Sequence, residues 1–413
     1  MSRAAPADPI GKVLLVNGNY EDGTVGGTQV HTRLLAHALR DEGRTVAVLC
    51  QGDEDDVTTL DGIEVHRIKP PRLPSGTRSA VRHAVNQTLA IHNPFVRRRV
   101  HAAVRRFRPD LCHVHMLRRL TPAVLPVLRA HRLPVVQTVH ELFSLWNFNA
   151  YLRDDRPEKI HSKRPWPVTA LKEWHRRLST TVHHVCAPSR FALDAYRRDG
   201  YFAGVPASVV PLSVPFEWGD PERIARRKAA ESRDRPLRLL FVGRLDNYKG
   251  VRELLAAVHA LRDLDLRLDV AGDGLLAPLV AGSAERDRRI TFHGPVHGAR
   301  RHDLYRRADV LLCPSTWTET FGYVVLEAYA AGLPVIASSV GALPDVVRHR
   351  RTGLLVRPGS VADLVAAIRA MTDRVTRCDL GGGAARWIRS FQSARPVDAQ
   401  LAAYRAAVGR HAG

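Results

Sequence analysis

The feature that most constrains this chain is a repeated alternation of short apolar, β-branched runs with intervals long enough for one helix each. Runs at 12–17, 45–50, 63–68, 111–116, 135–140 and 185–189 form one series. A second series follows at 237–243, 267–272, 290–294, 310–315, 334–338 and 353–356. A strand that is apolar on both faces must be covered on both, and a helical connection brings the next strand back parallel to the last. The spacing therefore predicts two doubly wound α/β domains. One interval shows the covering stripe: Leu34, Leu35, Ala38 and Leu39 share a helical face, Arg33, Arg40 and Asp41 lie off it, and Gly43 stops the helix.

Composition narrows the class without choosing a function. A chain of 413 residues, 45% hydrophobic and 25% charged, suits two or three globular domains and excludes collagen-like, disulfide-stapled and disordered chains. The formal charge is +21, and all but seven of the 62 basic residues are arginine. Such a field favours polyanions of any kind: phosphorylated substrates, nucleic acid or anionic lipid. Cys50, Cys112, Cys186, Cys313 and Cys378 are odd in number and contain no C-x-x-C pair, which argues against a zinc or disulfide framework and for a reducing cytosol. Residues 1–10 lack the apolar core of a signal peptide, and no run approaches the ~18 apolar residues of a membrane span. The expected location is cytoplasmic.

The alternation breaks between Pro215 and Pro236, where charge and proline mark a linker or surface helix. The expected division is 11–215, 216–385, and a terminal helical segment 386–413 that follows the Gly381-Gly382-Gly383 break and carries Trp387, Ile388, Phe391, Leu401 and Tyr404. The charged, proline-containing stretch 147–166 reads as a long loop able to meet a ligand or partner.

Several stretches place chemistry at predicted strand ends. After the first strand, Gly18, Gly23, Gly26 and Gly27 lead into a helix, which suits either a tight turn or a phosphate cradle. After the strand at 237–243, Arg244 and Lys249 bring two cations to a carboxyl end, where open α/β sheets bind ligands; the alternative is a pair of solvated charges. In Glu319-Thr320-Phe321-Gly322-Tyr323-Val324-Val325-Leu326-Glu327, one carboxylate ends a loop and the other lies eight residues on in a helix. Glu319 suits sugar hydroxyls or a helix dipole, and Glu327 a ribose or a solvated face. His113-Val114-His115 puts two imidazoles on one face of a strand, a spacing that also suits a metal. Arg97-Arg98-Arg99 and Arg105-Arg106, with Val100, Ala103 and Val104, describe a basic amphipathic helix, either solvated or docked on an anionic membrane.

In combination these motifs resemble the retaining GT-B glycosyltransferases of family 4 (glycosyl transferases group 1). That family carries an E-x7-E element, here Glu319 to Glu327, and an F-V-G-R-L-x-x-x-K-G element, here 241–250. It also has a G-x-G turn like Gly272-Asp273-Gly274 and an A-x-G-x-P-V-I-A-S segment like 330–338. Gly26-Gly27-Thr28-Gln29-Val30-His31 and Thr138-Val139-His140 match its amino-terminal elements, and all the matches fall in order between about 12 and 370.

The resemblance implies two Rossmann-like domains facing each other across a cleft, with acceptor mainly on the first, donor mainly on the second, and the terminal helices crossing back to the first. It implies a hexosyltransferase acting with retention on a nucleotide diphosphate sugar, UDP- or GDP-linked, whose leaving phosphate assists deprotonation of the acceptor hydroxyl. Arg244 and Lys249 would bind the diphosphate; Glu319 and the amides of Phe321, Gly322 and Tyr323 the donor sugar; Glu327 the ribose; His140 the sugar; and Gly26 and Gly27 phosphate or acceptor. Neither a metal nor another cofactor is expected, because the family commonly has H-x-H in this strand without one. The segment 210–215 departs from the family's N-G-V-D turn, and contacts made there are not carried over. The acceptor is a small metabolite, a polysaccharide or a lipid; a lipid would engage the helix near Arg97 to Arg106 at the inner membrane face. The competing readings are a sugar-nucleotide-binding protein without turnover and a nucleic-acid-binding protein; the latter leaves the two carboxylates and the paired cations without a role, so no nucleic-acid partner is expected.

Overall fold

Both series of apolar runs form sheets of the predicted kind. The computed structural model describes residues 10–20, 27–69, 93–117, 120, 122–142, 166–212, 219–231, 235–393 and 395–412. Strands β1 (Lys12–Val16), β2 (Thr45–Gln51), β3 (Asp56–Leu60), β4 (Ile63–Ile68), β5 (Leu111–Val114), β6 (Val135–Thr138), β7 (His184–Ala187) and β8 (Ala207–Val209) make one sheet in the order β3-β4-β2-β1-β5-β6-β7-β8. Strands β9 (Leu237–Val242), β10 (Leu266–Ala271), β11 (Ile290–Phe292), β12 (Val310–Cys313), β13 (Val335–Ser338) and β14 (Gly353–Val356) make another in the order β11-β10-β9-β12-β13-β14. The second is the doubly wound order, and the first contains it between its two edge strands.

Helices α1 (Gly27–Asp41), α2 (Pro94–Phe107), α3 (Val124–Ala130), α4 (Trp166–Ser179) and α5 (Arg190–Arg198) connect strands of the first sheet. Around the second run α6 (Pro221–Glu231), α7 (Val251–Ala260), α8 (Ala277–Arg286), α9 (Gly298–Arg307), α10 (Tyr323–Ala330), α11 (Leu343–Val346), α12 (Val361–Ala370) and α13 (Arg374–Ser393), followed by α14 (Pro396–Ala412). The strands are apolar throughout because successive side chains enter different cores. Leu14 and Val16 pack in one cluster of the first unit, and Val13 and Leu15 in the other.

Two strands fall outside the predicted series. The side chains of β3 are mostly exposed, so it lacks an apolar run; β3 pairs antiparallel with β4 through a two-residue turn at Asp61 and Gly62, both at positive φ. That Asp-Gly pair is a hairpin signal in its own right. The three-residue β8 lies at the opposite edge and is too short to carry a pattern.

The segment read as a linker or surface helix contains α6, whose Lys228 is buried and donates to the carbonyls of Tyr305 (3.0 Å), Arg306 (2.6 Å) and Ala308 (2.7 Å) at the end of α9. A lysine there satisfies carbonyls that the helix leaves open.

Two expectations about the carboxyl-terminal part are corrected. The three glycines do not break the chain; they lie inside α13. A Cβ on Gly383 would come within 1.9 Å of the Arg351 carbonyl, so this part of the helix needs glycine to pack directly on backbone. The segment assigned to the first unit begins at 396 rather than 386. Trp387 and Phe391 stay with the second unit because they pack on Tyr329 and Phe321.

The basic helix forms as α2, with Asn93 capping it by accepting from the Val96 amide (3.1 Å) and Pro94 in its first turn. Its apolar stripe, Val96, Val100, Ala103, Val104 and Phe107, is buried in the core, so the face that an amphipathic membrane helix would insert is already occupied. Arg98, Arg99, Arg105, Arg106 and Phe95 remain exposed. Among the described residues no helix is long and apolar enough to cross a membrane, and all five cysteines are free thiols.

Helix α14 completes a core cluster of the first unit with Val397, Leu401, Tyr404 and Ala407. Its Tyr404 hydroxyl hydrogen-bonds the buried His113 Nδ1 at 2.8 Å. Tyr404→Phe is expected to lower stability by about 1–3 kcal/mol by leaving that nitrogen unpaired. Urea unfolding at neutral pH measures it.

Candidate active site

In a doubly wound sheet, connections leave opposite ways from the two central strands, and the crevice between their carboxyl ends is left open for a ligand. In the second unit those strands are β9 and β12. The turn after β9 carries Arg244 and Lys249, and the loop after β12 carries Ser315 and Glu319. Gly250 joins the two: at φ +71° it starts α7, and a Cβ there would lie 1.9 Å from the Pro314 carbonyl. Only glycine lets the β9 turn close onto the β12 loop.

The closure brings Lys249 to Glu319. Lys249 Nζ donates to Glu319 Oε1 at 2.5 Å, and the Ser315 hydroxyl donates to the same oxygen at 2.6 Å. Burial disfavours the ammonium, but the Glu319 carboxylate outweighs it and raises the Lys249 pKa above its ordinary value. Burial likewise pushes Glu319 up, and Lys249 together with the Ser315 hydrogen bond brings it below the usual carboxylate range. Both groups are therefore charged at neutral pH. An ammonium with three donors, held by one, keeps others for a second anion.

Arg244 is more than half exposed and is held by Asp246, whose Oδ2 accepts from Arg244 Nε at 2.6 Å. Asp246 itself is buried and its Oδ1 accepts from the Leu275 amide at 3.3 Å, so the guanidinium is fixed through Nε and Nη2 on one carboxylate oxygen and keeps its other donors. The loop reaches α10 through Phe321, which is buried, and Gly322, at φ +85°, with Tyr323 as the first helical residue. Two turns into the chain beyond Glu319, buried Glu327 accepts at Oε2 from Arg301 (2.5 Å) and from the Tyr305 hydroxyl (2.7 Å). Burial raises its pKa, with Arg301 and Tyr305 opposing.

In the first unit the central strands are β1 and β5, and their carboxyl ends gather histidines. His31 comes from α1, His113 from β5, His115 from just beyond β5 and His140 from just beyond β6. His115 Nδ1 and His140 Nε2 share a hydrogen bond of 2.8 Å, and the His31 ring centroid lies 5.2 Å from that of His140 and 5.8 Å from that of His115. The His113 ring lies 3.9 Å from that of His115, tilted by 38°, and is held by Tyr404 and, at 2.7 Å, by Thr138. All four are buried, and burial lowers every one of their pKa values, that of His31 to about 4. At neutral pH they are uncharged imidazoles. One ring nitrogen from each of His31, His115 and His140 lies within 4.8 Å of the others, a set that could accept a metal ion or donate to and accept from polar ligand groups.

Of the residues singled out in the sequence, Lys249 and Glu319 are thus in direct contact, Arg244 is carried by the same turn, and Phe321, Gly322, Tyr323 and Glu327 follow on the next loop and helix. His140 belongs to the histidine group of the first unit. Gly27 opens α1, whereas Gly26 lies outside the described residues, as do Trp146 and most of the 147–166 stretch. The sequence reading did not assign Asp246, Ser315, Arg301, Tyr305 or His31 a role in holding these groups. Asp246 had a local signal, two residues from Arg244; Arg301 and Tyr305 are spaced four apart on one helical face, but nothing local links them to Glu327.

Two switch-point sites, one with a fixed lysine–glutamate pair beside an outward arginine, define a two-domain α/β protein built to bind a small anionic ligand. Comparison with known proteins gives the family. The family described as "Glycosyl transferases group 1" matches residues 236–374, and "Glycosyl transferase 4-like domain" matches 26–215. A D-inositol 3-phosphate glycosyltransferase of Pseudarthrobacter chlorophenolicus is 29% identical over 412 residues, covering 95% of this chain and 93% of that protein. Among solved structures, sucrose-phosphate synthase from Thermosynechococcus elongatus superposes with a TM-score of 0.72 at 22% identity, covering 92% and 94% of the two chains. Anabaena HepE in complex with UDP-glucose gives 0.67 at 19%, covering 95% and 98%. The chain belongs to the GT-B glycosyltransferases of family 4.

The buried histidines make stability depend on pH. A group whose folded pKa lies below its unfolded value of 6.5 costs nothing above that pH and destabilises as the pH falls toward the folded value, because the unfolded chain takes up the proton first. For His31 alone, a fall to about 4 amounts to a loss on the order of 3 kcal/mol. Urea midpoints are expected to drop between pH 7 and pH 5, and His31→Gln to reduce that drop.

Proposed function

We propose that this glycosyltransferase moves a hexose from a nucleoside diphosphate sugar to an acceptor hydroxyl, with retention at the anomeric carbon. The observation that carries the reading is the Lys249–Glu319 pair, fixed by Ser315 at the switch point of the second sheet. Leaving-group chemistry needs cations where the diphosphate oxygen gains charge as the glycosidic bond breaks, and needs them oriented beforehand. Lys249 and Arg244 are the two cations at this carboxyl end, each tethered by a carboxylate, and they take the metal's usual role. The reaction needs no divalent ion at the diphosphate.

Glu319 then receives hydroxyls of the transferred sugar through Oε2, its Oε1 being taken by Lys249 and Ser315. The amides around Phe321, Gly322 and Tyr323, at the amino terminus of α10, donate to the same sugar or its phosphate. Glu327 accepts from the ribose through Oε1, since Arg301 and Tyr305 hold Oε2. Neutral His140, aligned by His115, bonds a sugar hydroxyl, and the segment from Gly26 to Gly27 approaches phosphate or acceptor.

HepE in its complex holds UDP-glucose, which favours UDP over GDP here. The name of the Pseudarthrobacter relative includes D-inositol 3-phosphate, and that of the cyanobacterial structure includes sucrose-phosphate. A small phosphorylated polyol is the acceptor class these names favour, and the +21 charge suits it. We place the enzyme in the cytoplasm; any membrane contact of α2 rests on its arginine face alone.

Lys249→Ala and Glu319→Ala are expected to melt as cooperative folded proteins and to lose at least about tenfold in turnover of UDP-glucose, the scale of losing one oriented charge in a transition state. Wild-type turnover in both would overturn the site. Activity should survive EDTA, and proton NMR of the first-formed product should show the donor's anomeric configuration.

A further inference from the structure

The second unit holds another cation cluster, at the amino-terminal end of β14, opposite to the end that carries Lys249 and Glu319. A groove of about 750 Å³ is lined there by Arg348, Arg350, Arg351 and Arg386, with Trp387 and Phe391 as an aromatic wall. None of the four guanidinium groups is paired with a carboxylate among the described residues. What sets them apart is that four such groups line one groove. Nearby Arg357, Arg369 and Arg389 are each bonded to an acid, Asp363, Asp263 and Glu222 respectively. Asp379 is the acid in the groove lining, so the lining carries a net charge of three.

The turn that presents three of these arginines is held firmly. The Arg351 and Thr352 amides both donate to the Arg348 carbonyl at 2.9 Å, and the Arg350 amide donates to the Gly353 carbonyl at 2.8 Å. Buried Thr352 accepts at Oγ1 from the Arg348 amide (3.0 Å) and shares a 2.6 Å hydrogen bond with the Tyr329 hydroxyl. Arg350 sits at φ +59°, where a non-glycine residue costs free energy, so the fold maintains this loop against local preference. Trp387 is stacked on Phe391, with centroids 5.2 Å apart and planes 18° apart, and meets Tyr329 edge-on. Like charges gathered on a fixed turn repel one another until an anion joins them, and guanidinium forks match phosphate oxygens in pairs.

We propose that this groove binds a ring compound bearing two phosphate groups, the phosphates on the arginines and the ring against Trp387 and Phe391. The charge sets the ligand: a bisphosphate balances three net positive charges where a single phosphate does not. The site is separate from the one assigned to the nucleotide sugar and does not rest on that assignment.

Isothermal titration of the full chain with fructose 1,6-bisphosphate tests it, beside inorganic pyrophosphate as a phosphate pair without a ring. Two proteins accompany the wild type: the double variant Arg351→Gln/Arg386→Gln, altered only at exposed side chains, and Lys249→Ala. Thermal melts confirm that both remain folded. The expected result is binding by wild type and Lys249→Ala alike, at least about tenfold weaker binding by the double variant, and weaker binding of pyrophosphate than of the sugar bisphosphate. Unchanged binding by the double variant, loss confined to Lys249→Ala, or no binding by wild type would overturn the site. Equal affinity for pyrophosphate would overturn the role given to the ring.

Discussion

Everything at the second sheet's active end depends on one close approach, the turn after β9 lying against the loop after β12. Parallel pairing of β9 with β12 fixes the direction in which both segments leave the sheet, but it does not by itself make their side chains meet. The contact at Gly250 and the Pro314 carbonyl does, with the Thr316 amide donating to the Tyr248 carbonyl at 2.9 Å alongside it. A lysine and a glutamate seventy positions apart in sequence then share a short hydrogen bond. The ion pair is partly buried, where desolvation would defeat two isolated charges; it persists because Ser315 supplies a further donor to the carboxylate and because each partner sustains the other's ionised form.

The two sheets use the same topology for opposite electrostatics. The second presents charged groups at its switch point, each tied to a partner that fixes its direction. The first presents buried imidazoles that burial keeps neutral. A neutral histidine donates with one nitrogen and accepts with the other, so a chain such as His113 between Tyr404 and Thr138 is ordered without net charge. Cations hold a diphosphate; neutral, two-sided hydrogen-bonding groups suit hydroxyls. The division of labour proposed for donor phosphate and sugar follows from this difference in burial and charge.

Much of this was legible in the sequence, and the limits have physical causes. All six strands of the second sheet lie on the predicted runs, because a strand buried on both faces has to be apolar along its length. The exposed edge strand β3 was missed for the converse reason, although Asp61-Gly62 marked its hairpin. Lys249 stood out beside Arg244, and Glu319 beside Glu327, because each of those spacings is local. The residues that aim them did not: Arg301 and Tyr305 reach Glu327 across 26 and 22 positions, and His31 joins His115 and His140 from another element altogether. Pairings of that kind are set by the sheet order, which a single sequence does not display. The glycine run at 381–383 misled for a related reason: glycine serves close packing as readily as it serves chain breaks, and only the position of the Arg351 carbonyl distinguishes the two.

The basic surface illustrates why charge alone identifies so little. The helix α2 has the composition of a membrane-binding amphipathic helix, yet its apolar stripe is spent on the core of its own unit. What remains outside is a row of arginines and a single exposed phenylalanine, Phe95. Burial converts a pattern suited to insertion into one suited at most to surface attraction, which falls away with salt. The same reasoning separates arginines that stabilise from arginines that recognise. Arg235, bonded twice to Asp309 at 2.8 and 2.7 Å, has its geometry satisfied within the fold. Arg244 is also tethered, but through Nε and Nη2 to a single oxygen of a buried acid, and its side chain stays more than half exposed. A cation becomes a binding group when the fold fixes its position without consuming its donors.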